Sequence, residues 1–180
     1  MTSTLIITGS PSAASRTSRH ARAIVERLAQ HNIESSVLDV RTLPAEDLLG
    51  ARAGSPTIAA ALERVAGAKG VVVATPIYKA AYSGLLKTFL DVLPQFGLRE
   101  KVVLPLATGG TVAHVLALDY ALRPVLSSLD PSHVVSGLFI LDKQIIVHSD
   151  GRVELDPDVS ARLDQTLANF VDGLRRLHGK

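Results

Sequence analysis

Residues 71–84 read VVVATPIYKAAYSG. The opening run, Val71 to Thr75, is β-branched and uncharged, the composition of a strand covered on both faces. At Pro76 the run gives way to a loop with two of the chain's three tyrosines, Tyr78 and Tyr82, and Lys79 between them. Gly84 to Leu93 then repeats apolar residues at helical spacing, until Pro94 stops it. A buried strand, a polar loop and an amphipathic helix make one unit of an α/β fold.

The same unit recurs in both directions. Leu5-Ile6-Ile7 reads as a strand, followed by a helix from Ser18 to Gln30 with Ala21, Ile24, Val25 and Leu28 on one face. Ser36 to Val40 is a short second strand. Ser55-Pro56 marks a helix start with proline at its first position, and the helix runs through Ala59, Leu62, Val65 and Ala66. Val102 to Ala107 is the fourth strand, and a helix from Val112 to Leu129 follows, although it contains Pro124. Val134 to Leu141 is the fifth strand, and Gln144 to Val147 is a candidate extra one. Asp156-Pro157 opens a last helix carrying Val159, Leu163, Leu167, Phe170, Val171 and Leu174. Strand–helix alternation repeated five times predicts a parallel sheet with helices on both faces. The expected arrangement is a flavodoxin-like, doubly wound, five-stranded parallel sheet of order 2-1-3-4-5. Its ligand crevice lies at the carboxyl ends of strands one and three. A six-stranded dinucleotide-type order fits the same alternation. The 180 residues suit one domain spanning 1–180, and Asp150-Gly151 reads as a turn, not a boundary.

Composition removes several classes of function. Cysteine is absent, so there is no disulfide, no thiolate metal site and no cysteine nucleophile. The 19 basic and 17 acidic residues are scattered, with no basic stripe, so no nucleic-acid partner is expected. No uncharged run reaches the length of a membrane span, and no basic n-region precedes the first apolar run. A cytoplasmic location is the expectation.

Three loops fall at carboxyl ends of strands. The first, GSPSAASRTS from Gly9 to Ser18, leads into a helix N-terminus, where free N–H groups and a partial positive charge favour anions. Five hydroxyls and Arg16 suit a monophosphate; equally, Ser, Pro and Gly make an ordinary loop with Ser18 as a helix cap. Neither GxGxxG nor GxxxxGK[ST] is present. The second loop is Pro76-Ile77-Tyr78-Lys79, with backbone groups and a ring to set against a planar heterocycle; its tyrosines also suit a plain sheet edge. The third, ATGGTVAH from Ala107 to His114, has paired glycines that let backbone approach a ligand, or simply turn. Together the loops fit a flavin mononucleotide: one for phosphate, two for a flat polar ring.

ATPIYKAAYSGLLKTFLDVLP (74–94) and KVVLPLATGGTVAHVLALDYALRPVL (101–126) resemble the NAD(P)H-dependent FMN reductases. Within them the likeness is to the reductases of two-component alkanesulfonate monooxygenase systems. It is weakest between Ala45 and Gly54 and after Leu141. The resemblance implies a flavodoxin-like fold in dimers or tetramers, NADPH or NADH as donor, FMN as acceptor, and release of reduced FMN to a separate monooxygenase. It places the flavin phosphate on Ser10, Ser15 and Thr17, with the Arg16 and Ser18 backbone nearby. It lays the ring along Pro76, Ile77, Tyr78 and Lys79 and along Thr108, Gly109, Gly110 and Thr111. Where the family often has arginine two residues after the first loop serine, this chain has Ser12. The resemblance also makes Tyr120 the mark of a π-helical insertion at a subunit interface.

Hydride transfer between nicotinamide and flavin asks for no protein nucleophile, and no catalytic side chain or metal ligand is assigned. Two other readings stand beside it: a quinone, azo or chromate reductase that keeps FMN bound, and a flavodoxin-like electron carrier. The apolar face of Leu86, Phe89, Leu90 and Leu93 is long enough for a partner helix and favours an oligomer over a single-chain carrier.

Overall fold

Strand residues alternate between two apolar layers, so both faces of the sheet are buried. A computed structural model describes residues 3–179. Strands β1 (Ser3–Thr8), β2 (Glu34–Asp39), β3 (Gly70–Tyr78) and β5 (Val102–Gly109) are parallel neighbours in the order β2-β1-β3-β5. Next to β5 lie β6 (His133–Val134) and, further along, β7 (Leu138–Leu141). Counting β6 and β7 as one line gives the expected order 2-1-3-4-5, a flavodoxin-like sheet. Leu5, Ile7, Val71, Val73 and Val103 face a core shared with α2 (Ala45–Leu49), α3 (Pro56–Gly67), α4 (Gly84–Asp91) and α5 (Arg123–Ser128). Ile6, Val72 and Leu104 face the other core, under α1 (Arg16–Gln30) and α6 (Pro157–His178). Among the described residues no helix is long and apolar enough to cross a membrane.

The expected fifth strand, Val134 to Leu141, is broken in two. Val103 pairs with Val134 and Leu106 with Leu138, so three steps on β5 face four on its neighbour. The cause is Pro105. It shares its ladder side with Val103, whose carbonyl accepts from Val135 N–H at 2.9 Å, and it has no N–H to offer in return. The extra residue forms a bulge. Gly137 fills the gap, because a Cβ there would lie 2.7 Å from the Pro105 carbonyl.

A second proline reshapes the expected Val112–Leu129 helix. The segment is a 3₁₀ turn at Val112–His114, a π-helix at Leu118–Leu122, then α5. Pro124 cannot donate to the Tyr120 carbonyl, and its ring would crowd that oxygen in an α-helix. The chain widens instead, and Arg123 N–H reaches back five residues to Leu118 O.

Other expectations shift. Helix α1 begins at Arg16, two residues before the expected Ser18, because Ser15 and not Ser18 is its cap. Helix α4 ends at Asp91, short of Leu93, as the residue before a proline leaves the helical region. Leu86, Phe89, Leu90 and Leu93 are all buried within this chain, so they are core and offer no face to a partner helix. The extra strand exists as β8 (Ile145–Val147) but pairs with β9 (Val153–Leu155) in a separate antiparallel hairpin. That hairpin turns through Gly151 at φ +87°. The last helix buries the six residues expected of it, under an Asp156 cap.

His20, on α1, is 2% exposed, and neither ring nitrogen has a hydrogen-bond partner among the described residues. Burial, and secondarily the Arg27 charge, lowers its pKa from 6.5 to about 4. The unfolded chain therefore takes up this proton near pH 6.5 and the folded chain only near 4. This contribution to stability is complete above pH 6.5 and is lost as pH falls through 4, about 3 kcal/mol in all. Urea melts should show this loss in the native chain and a flatter profile in His20→Leu over the same window; matching profiles would contradict it.

Candidate active site at the carboxyl ends of the strands

The loop after β1 and the loop after β3 are held together by one serine. Ser83 caps α4, accepting from Leu86 N–H at 3.1 Å. Its hydroxyl donates to the Gly9 carbonyl at 2.5 Å, and its N–H donates to Thr75 Oγ1 at 3.1 Å. Gly9 N–H in turn donates to the Ala74 carbonyl at 2.9 Å. The approach leaves no room at Gly9, where a Cβ would lie 2.5 Å from Leu86 Cβ. A threonine pair joins the first loop to the third: Thr17 Oγ1 and Thr108 Oγ1 are 2.5 Å apart and buried.

These links decide which polar groups remain open. Ser10, Thr17, Ser18 and Thr108 are all buried, and their hydroxyls have partners inside the protein. Ser15 caps α1 by accepting from Ser18 N–H at 3.0 Å, and it donates to Ser18 Oγ at 3.1 Å. Arg19 N–H bonds the Ser15 carbonyl. Among the described residues the N–H groups of Arg16 and Thr17 have no partner, as the first donors of a helix start ordinarily have none within the helix. Arg16 is exposed, and its Nε donates to the Ile145 carbonyl at 3.2 Å, which ties α1 to the β8–β9 hairpin. Ser12 is also exposed at the rim.

The second loop is not a loose exit. Strand β3 continues through Pro76 and Ile77 to Tyr78, then turns back as β4 (Ala81–Tyr82). The two turn residues, Lys79 and Ala80, both hold positive φ, +49° and +63°. That is the two-residue hairpin geometry usually given to Asn-Gly, and side chains there carry strain. The turn lifts Tyr78, 50% exposed, and Lys79 onto the rim, while Ile77 stays buried. Tyr82 pairs with Ile77 and packs on the core, so it shapes the hairpin. Burial raises its phenol pKa above the ordinary value.

In the third loop the paired glycines separate in role. A Cβ on Gly109 would lie 2.8 Å from Phe139 Cζ, so packing requires that glycine. Gly110 faces open space and Thr111 is exposed. Thr111 Oγ1 caps the following turn by accepting from Ala113 N–H at 3.3 Å. Beyond it Val112, Leu116 and Tyr120 stand 68%, 58% and 79% exposed. Among the described residues no group of three or more His, Asp or Glu could hold a metal ion.

Sequence reasoning missed Ser83, Thr75 and the Thr17–Thr108 link. Ser83 had a readable signal, a serine just before an apolar helical run. The other contacts join positions 91 and 8 residues apart and have no local signature. Ser83→Ala should destabilise the fold by about 2 kcal/mol, since it removes a cap and strands the Gly9 carbonyl. Chemical denaturation reads this, and a change under 0.5 kcal/mol would contradict the link.

The geometry is therefore a helix start beside two rims of open backbone and one aromatic ring. Residues 2–145 match the family model described as NADPH-dependent FMN reductase. The chain is 45% identical over 172 residues to the FMN reductase (NADPH) of Escherichia coli K12, covering 96% of this chain and 90% of that protein. It is 43% identical to the protein of the same name from Pseudomonas putida KT2440, covering 94% and 87%. The crystal structure of the apo form of an NADH:FMN oxidoreductase superposes with a TM-score of 0.87 at 40% identity, over all of this chain and 92% of that one. The chain belongs to the NADPH-dependent FMN reductase family.

Proposed function

We propose that this protein is an enzyme that binds FMN and NADPH and reduces the flavin at the expense of the nicotinamide. The observation that carries the reading is the convergence of three loops, after β1, β3 and β5, on the helix start of α1. Family membership supports it independently. Hydride transfer is the chemistry that the two bound molecules supply. The residues' part is to bind and to orient. The phosphate is held by the N–H groups of Arg16 and Thr17 and by the Arg16 guanidinium, with Ser12 and Ser15 at the rim. Ser10, Thr17, Ser18 and Thr108 keep the loop in shape through their buried hydroxyls, a change from the direct phosphate contacts that the resemblance implies for Ser10 and Thr17. Backbone from Pro76 to Lys79 forms one wall for the flavin ring, and Thr108 to Thr111 the other. Gly110, with open space at its Cβ position, is where a ring can lie against bare backbone.

The finer reading is that FMN is a dissociable substrate whose reduced form serves a separate alkanesulfonate monooxygenase in the cytoplasm. One 180-residue domain carries the activity. Two features support an oligomer, a homodimer or homotetramer: the sequence likeness at 101–126, and the exposed apolar row of Val112, Leu116 and Tyr120 on the segment that runs from the 3₁₀ turn into the π-helix.

The purified protein should oxidise NADPH only when FMN is added; no FMN-dependent NADPH oxidation would overturn the reading. Ser15→Ala with Arg16→Ala should weaken FMN about tenfold or more and riboflavin much less, since riboflavin has no phosphate. Equal losses by fluorescence titration would refute the phosphate assignment. Tyr120→Ala should lower the assembled mass in light scattering; an unchanged mass would remove Tyr120 from the interface.

A further inference from the structure

A second polar site adjoins the first loop. Between α1 and the β8–β9 hairpin lies a groove of about 890 Å³, running from Ala13 of the first loop past Arg19, Arg22 and Arg152. It opens into a smaller cavity of about 360 Å³, which His20 lines from within the protein. Ala23, Val153 and Leu155 are common to both spaces and give them an apolar floor.

The polar groups there are only partly matched. Arg27 is held by Asp164 and by Ser160 Oγ, and Arg152 by Asp150 at 2.7 Å. Arg22 lies 3.7 Å from an Asp39 oxygen that Arg41 approaches more closely, at 3.1 Å. Arg19 has no side-chain hydrogen bond or ion pair among the described residues. Glu26 is likewise unpaired, one turn beyond Arg22. His20 has two unpartnered ring nitrogens at 2% exposure, and buried polar groups in native proteins ordinarily have partners.

One molecule meets these demands together. It carries a planar base for the apolar floor and for His20, a ribose hydroxyl for Glu26, and an anionic group for guanidiniums on the outer rim. It must also reach the flavin loop, since the groove starts at Ala13. Arg19 lies four residues beyond the Ser15 cap, about 6 Å along the helix at its standard rise.

We propose that this groove binds the adenosine half of NADPH, with Arg19, Arg22 and Arg152 holding the 2′-phosphate and His20 hydrogen-bonding the adenine. The inference rests on the reading of the protein as an NADPH-dependent FMN reductase and adds the site that selects between the two nicotinamide nucleotides. That choice differs between the similar proteins named above, one group named for NADPH and one for NADH. Guanidinium–phosphate bonds exist only with the phosphorylated nucleotide, so the arginines set preference and the floor binds both.

The test is calorimetric binding of 2′,5′-ADP, 5′-AMP and inorganic phosphate to the full chain, which needs no flavin. The native protein should bind 2′,5′-ADP about tenfold or more tighter than 5′-AMP, and inorganic phosphate far more weakly than either. Arg19→Gln with Arg152→Ala should abolish the difference between the two nucleotides, and retained 5′-AMP binding would show that the variant is folded. His20→Leu should weaken both nucleotides alike. In turnover with FMN, the ratio of kcat/KM for NADPH over NADH should fall about tenfold in the arginine variant. Nucleotides bound equally by native and arginine variant, or phosphate bound as tightly as 2′,5′-ADP, would overturn the proposal. Loss of FMN-dependent turnover in the native protein would overturn the functional reading, and the binding titration would still decide this site.

Discussion

The contact between Gly9 and Leu86 sets the shape of the whole upper face. Two loops can lie that close only if the first has no side chain at the crossing. The Ser83 hydroxyl then engages the carbonyl of that same glycine, and Thr75 holds the serine's backbone. Buried polar groups in such a network are costly to leave unmatched, so the loops after β1 and β3 have one relative position. The Thr17–Thr108 pair adds the loop after β5. A site made of three loops thereby has the rigidity of the strands beneath it, which orientation of two stacked rings requires.

Two prolines account for the irregular half of the fold. Pro105 interrupts the ladder at the sheet edge and Pro124 widens a helix into a π turn. Both act through a missing N–H. Their effects converge: the bulge packs against Leu118 of the π turn, at the end of a segment that exposes Val112, Val115, Leu116 and Tyr120. Arg123 links them, donating to the Val134 and Val135 carbonyls at 3.4 and 3.3 Å from the end of the π turn. The exposed row at Val112, Leu116 and Tyr120 is thus a consequence of backbone chemistry as much as of side-chain choice.

Strand order and both helical layers were legible in the sequence, because apolar period and run length report burial directly. Val71 to Ala74 and Val102 to Leu104 needed no further information. Boundaries failed where a cap or a proline overrode periodicity, as at Ser15 and Pro105. The apolar face of α4 was misread as a partner surface, since periodicity shows that a face is buried and not by what. In the candidate site the three loops were legible, but which of their hydroxyls already bond within the protein was not. Ser10 bonds within its own loop, to Ser12, whereas nothing local reveals that Thr17 and Thr108, 91 residues apart, bond each other. The β4 hairpin was hidden for a related reason: Lys79 and Ala80 lack the glycine that normally announces such a turn.

In the proposed complex FMN lies across the three loops with its phosphate at the start of α1. Backbone amide NMR of the labelled protein during FMN titration tests it most directly. The largest shifts should fall on Arg16, Thr17, Tyr78, Lys79, Gly110 and Thr111, with the Arg16 and Thr17 amides unmoved by riboflavin. Saturable shifts confined to other parts of the chain, or no response at these six amides, would contradict it.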